Sequence, residues 1–107
     1  HSPQQVQEKI TQTQEAWKAW RLTSMDTRTA KLLHLATVLR NRKQQLATLM
    51  ALEMGKPIKQ GLAEVEKCAR CCEYYAENAA IHLQDQLIPT EASKSYVSFQ
   101  PLGIVLA

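Results

Sequence analysis

The densest set of reactive side chains in the sequence is Cys68, Cys71 and Cys72, three thiols within five residues. Thiolates act as nucleophiles, as redox partners or as ligands for soft metals. A structural zinc ion takes four ligands, commonly as two pairs. The nearest other candidate is His82, and no second cysteine pair exists. A redox Cys-x-x-Cys motif is favoured at a helix start, where the dipole stabilises the thiolate, and this cluster falls in the middle of a helical pattern. Cysteine is also a common small buried residue, so the three are read as packing residues. His34 and His82 lie on separate helical segments with no Ser, Cys or Asp arranged as a relay. Glu53, Glu64 and Glu66 could serve as paired carboxylates, but Lys56, Lys67 and Arg70 are close in sequence, so ion pairs on helix faces are expected. Gly55, Gly61 and Gly103 are isolated, which excludes a glycine-rich phosphate loop. The residues alone therefore present no catalytic constellation.

The elements that position these groups are mainly helical. Val6, Ile10, Thr13, Trp17 and Trp20 recur at spacings of one helix face, which predicts a helix over 3–21 with Ser2 as its cap and Pro3 in its first turn. A second helix is expected from Asp26 to Met54, with Leu32, Leu35, Ala36, Leu39, Leu46, Leu49 and Met50 as its stripe. The charged run from Arg40 to Gln45 interrupts that stripe and suggests a bend. Gly55 is placed to end this helix at positive φ, and Pro57 to open the next. The third helix carries Val65, Ala69, Cys72, Ala76 and Ala79, a seam of small side chains that admits a close neighbour. Pro89 and Thr90 to Ser95 read as a linker. Val97 and Phe99 alternate with Ser98 and Gln100, a strand pattern, and Ile104 to Ala107 reads as the start of a buried strand. Three helices followed by one or two strands suit the opening of an α/β protein.

The chain has 107 residues, 45% hydrophobic and 21% charged, with a net charge of +3. Those values suit one small globular domain and exclude a charge-rich disordered tail. The positive charges are interspersed, so no nucleic-acid stripe is present, and no apolar run approaches the ~20 residues of a membrane helix. The clustered odd cysteine count points to a reducing compartment, with cytoplasm as the default. Because Pro101 to Ala107 ends within an apolar run, the chain is expected to be a piece of a longer protein.

The motif Glu53-Met54-Gly55-Lys56-Pro57, followed by Glu64-Val65, Tyr74-Tyr75-Ala76 and the segment Ser95 to Ala107, resembles the N-terminal region of the NAD(P)-dependent aldehyde dehydrogenases. Ala16-Trp17 with Trp20, and Thr27-Arg28 before a Leu-rich helix, fit the same family, and within it the succinate-semialdehyde dehydrogenase branch is most similar.

The resemblance implies an α/β parent fold with a Rossmann-like cofactor domain. It implies that 1–94 form the helical part of that domain, that 95–103 contribute a strand to an oligomerisation sheet, and that 104–107 begin a core strand. The implied activity is oxidation of an aldehyde, with succinate semialdehyde as the specific guess, through a thiolate adduct, hydride transfer to NAD or NADP, and hydrolysis of the thioester. The family's nucleophile, base and dinucleotide-binding residues match nothing here, so no catalytic or cofactor residue is assigned and no dinucleotide is expected on this fragment. One site carries over: Glu53, in the Glu-x-Gly-Lys-Pro turn, as a ligand of a structural monovalent cation. The expected partners are further copies of the chain through the Tyr96 to Gln100 strand, and the rest of the parent protein. The alternative is a freestanding helical interaction module.

Overall fold

The structure is a computed structural model and describes residues 1–106. Four helices, α1 (Pro3–Trp20), α2 (Met25–Asn41), α3 (Lys43–Met54) and α4 (Ile58–His82), precede two short strands, β1 (Gln86–Leu87) and β2 (Tyr96–Val97). They form two compact units: Met25–His82, and His1–Ser24 together with the residues from Leu83 onward. No described helix is long and apolar enough to cross a membrane.

In the unit Met25–His82, α4 lies against both α2 and α3. The single helix expected over Asp26 to Met54 is two. Arg42 leaves helical geometry (φ −102°, ψ 10°), within the charged run that breaks the apolar stripe. The hydrogen-bond ladder nevertheless continues across the bend, from Arg42 N–H to Val38 O (3.0 Å) and from Leu46 N–H to Arg42 O (2.9 Å). The bend is therefore a change of direction with little loss of backbone pairing. At the far end Gly55 takes φ +69° and donates to Ala51 O, as its sequence position predicts. A left-handed residue stops the ladder there, and glycine adopts it without a Cβ clash. Pro57 stands just before α4, its carbonyl accepting from Gln60 and Gly61 N–H.

The core of this unit is made of small residues: Ala36, Ala47, Val65 and Ala69, with Gly61 also buried. A Cβ placed on Gly61 would stand 3.1 Å from both Cα and Cβ of Ala47, so the missing side chain is what lets α4 approach the α3 backbone. The small-residue seam from Val65 to Ala79 does not stand open to solvent. Instead Val65 and Ala69 are buried, and Cys72, Ala76 and Ala79 half-buried, on the face that α4 turns to its helical neighbours.

The other unit begins with α1. Ser2 Oγ accepts from Gln5 N–H (3.2 Å), and Ser2 N–H donates to Gln5 Oε1 (2.8 Å), a reciprocal cap. None of its residues is buried. Trp17 and Trp20 share the expected face, with the Arg21 guanidinium 4.9 Å from the Trp17 ring. Residues Gly103 to Leu106 line shallow apolar grooves together with this face. The strand pattern at Tyr96 needs a ladder partner. It has one: β1 and β2 pair antiparallel, Gln86 opposite Val97 and Leu87 opposite Tyr96. Residues 104–106 form no strand, because no ladder partner lies beside them among the described residues. The remaining residue of that expected strand, Ala107, lies outside the described residues.

Candidate functional site

The most organised polar cluster bridges the helices of the unit Met25–His82. Arg40, at the end of α2, forks onto Glu73 through both terminal nitrogens, one of them 2.9 Å from Oε2, and its Nε donates to Glu66 Oε1 at 3.1 Å. Lys43, the first residue of α3, donates to Glu66 Oε2 at 3.1 Å. Glu66 and Glu73 are seven residues apart, two turns of α4, so they share a face. The bend at Arg42 places Arg40 and Lys43 on either side of it, and both cations reach the same helix. The Lys43 ammonium, then the Arg40 guanidinium, holds the Glu66 carboxyl below its usual range. Arg40 does the same for Glu73, and the two carboxylates hold Arg40 more firmly protonated than a free guanidinium. Each side chain keeps about a third of its surface in water, so the cluster acts as a solvated clasp between helices.

The other sequence-selected groups are placed as follows. Glu64 pairs with Lys56 across the α3–α4 turn, an ion pair of the kind expected, whereas Glu66 reaches Arg40 and Lys43 on other helices rather than Lys67 or Arg70. Cys68 and Cys71 are exposed and only Cys72 is half-buried, so the packing reading holds for one cysteine of three. Cys72 follows Ala69 on the inward face and Cys71 is turned away from it, while Cys68, one turn before Cys72, stands at the rim of the seam and is exposed. His34 is exposed. The His82 ring lies 6.1 Å from the Tyr74 ring, with Tyr74 Oη 3.4 Å from Nε2. Glu53 is exposed in the last turn of α3.

No cysteine is hydrogen-bonded to a histidine or carboxylate among the described residues, so no activated nucleophile is assembled. No group of three or more His, Cys, Asp or Glu side chains gathers there to hold a metal ion. Gly55 ends α3 at φ +69°, Gly61 serves the helix crossing, and Gly103 takes φ +110°. The arrangement is suited to holding helices in register. Sequence reasoning missed the clasp, although two carboxylates seven apart facing a charged break in a Leu stripe were a usable signal.

The sequence profile of the aldehyde dehydrogenase family matches residues 1–107. The chain belongs to the aldehyde dehydrogenase family. A Synechocystis protein named "Probable succinate-semialdehyde dehydrogenase (NADP+)" is 41% identical over all 107 residues, which make up 24% of its length. The Escherichia coli NAD(P)+ succinate semialdehyde dehydrogenase Sad is 37% identical over 91 residues, 85% of this chain and 20% of that protein. Succinic semialdehyde dehydrogenase from Streptococcus pyogenes, solved with NADP+, superposes with a TM-score of 0.82 at 27% identity, over 89% of this chain and 21% of that one. The chain thus spans about a quarter of the length of the relatives it matches. A fragment of the aldehyde dehydrogenase fold accounts for the mainly helical content and the short terminal strands.

Proposed function

We propose that this chain is the N-terminal part of an NAD(P)-dependent aldehyde dehydrogenase that oxidises succinate semialdehyde to the dicarboxylate, and that it contributes scaffold and subunit contacts to that enzyme. The observation that carries the reading is the 41% identity over the whole chain with a relative named for that activity. The dinucleotide, bound elsewhere in the parent, supplies the hydride acceptor. No residue of this chain is assigned to it in this reading. The role of these residues is mechanical: the Arg40–Glu66–Glu73–Lys43 clasp and the Gly61–Ala47 crossing hold α2, α3 and α4 as one body.

In this reading residues 1–94 belong to the cofactor-binding domain, 95–103 to an oligomerisation sheet and 104–107 to a core strand. The pairing of β2 with β1 on one side only supports the subunit role, since its second edge can accept a strand from another copy. Glu53, with the carbonyls that close α3, offers hard oxygen donors for a structural monovalent cation, and the cytoplasm is the compartment.

The test is to express the protein with the sequence that follows Ala107 in its gene and to assay succinate semialdehyde with NADP+ and with NAD+. Dinucleotide reduction that depends on this aldehyde is the expected result. A stop codon directly after Ala107, or a longer protein that reduces neither dinucleotide, overturns the reading.

A further inference from the structure

Cys68 and Cys71 are both exposed and both line one open groove of about 560 Å3 on α4, with Ala63, Glu64 and Lys67. They are three residues apart on an unbroken helix, so their Cβ atoms lie one above the other on neighbouring turns. Cys72 is absent from that groove and half-buried towards the core. The one carboxylate in the groove, Glu64, is engaged by Lys56. The site therefore offers two sulfurs and no free third ligand, in keeping with the lack of any three-ligand group among the described residues.

We propose that Cys68 and Cys71 form a two-sulfur site for a soft, sulfur-seeking centre that takes two protein ligands, with trivalent arsenic as its type. With an aryl arsenic(III) oxide the two S–H bonds and the As=O bond break and two As–S bonds form. The two thiol protons leave with the oxide oxygen as one water, and no atom changes oxidation state. Once the first sulfur is attached, the second closes a ring at high effective concentration, which favours the chelate over two separate thiols by about 100-fold or more.

The experiment titrates the reduced 107-residue chain with phenylarsine oxide. It follows intact mass and the competition by a monothiol, and compares Cys68→Ser, Cys71→Ser and Cys72→Ser. One adduct per chain is expected in the parent sequence and in C72S, each gaining one phenylarsenic less two hydrogens. A loss of apparent affinity of about 100-fold or more is expected in C68S and C71S. If C72S perturbs the helical circular dichroism, C72A replaces it, since Cys72 sits on the small-residue face. In concentrated urea C68S should recover tight binding, because an unfolded chain can bring the adjacent Cys71 and Cys72 together. Native C68S or C71S that binds as tightly as the parent, or a C72S chain that loses binding as they do, overturns the proposal.

Discussion

Replacing Gly61 by alanine tests the claim that α4 rests directly on the α3 backbone. In a helix without neighbours the change stabilises, since alanine exceeds glycine by about 1 kcal/mol in a helix interior. Here the new Cβ would meet Ala47 Cα and Cβ at 3.1 Å and Ala47 O at 3.4 Å. Two of those three atoms are backbone and cannot rotate away, so α3 must shift or the crossing must open. Inserting a methyl group into a close-packed contact costs about 1–3 kcal/mol. The two effects leave a net loss of roughly 0–2 kcal/mol, or a fall in Tm of about 4–8 °C for each kcal/mol in a domain of this size. Thermal unfolding followed by circular dichroism gives the sign directly. Ala47→Gly removes the Cβ–Cβ clash but itself costs about 1 kcal/mol in the interior of α3, so the double variant is read against Ala47→Gly alone, and on that background Gly61→Ala should cost less than it does in the parent. A Gly61→Ala chain that melts higher than the parent would refute the close approach, because propensity alone would then account for the result.

The same melting experiment on Gly55→Ala should show a loss of about 1 kcal/mol for a different reason: a Cβ there meets nothing within 4 Å, but φ is +69°. Gly55→Asn should lose less, and equal losses would argue against a left-handed cap. Glu66 and Glu73 have carboxyl groups held below their ordinary value of 4.5, so the clasp stabilises fully above that pH and loses its contribution as pH falls through the lower folded values. Tm should therefore drop on acidification from about pH 5 downward, with a shallower drop in Glu66→Gln/Glu73→Gln; identical slopes would mean the clasp does not couple to folding. Calorimetric titration of the 107-residue chain with NAD+ and NADP+ should show no saturable binding, and one site per chain would place the cofactor here after all. Sedimentation should show self-association that disappears when residues 96–107 are removed, while a monomer at both lengths would leave the subunit role of β2 without support.

Features set by chemistry within one turn of the chain were legible in the residues alone. Ser2 caps α1 because its hydroxyl lies within reach of the Gln5 N–H, and Gly55 ends α3 because only its own φ is at issue. The apolar periods of α1 and α4 located the helices and the inward face of α4, since period depends on the helix and not on what covers it. The groups joined by tertiary structure were not legible. Arg40 and Glu73 are 33 residues apart and Lys43 and Glu66 are 23 apart, and nothing local links them until the bend at Arg42 aims both cations at α4. β1 is two residues long, too short for any alternation to register, and exists through its pairing with Tyr96–Val97. Ile104 to Leu106 carry a strand composition yet form none, because a strand is completed by its neighbour's hydrogen bonds and these residues lie instead along the apolar face of α1. Three cysteines of one type fall into two environments, since burial follows the phase of the helix against its neighbours, and the structure turned Cys72 inward while leaving Cys68 and Cys71 in water.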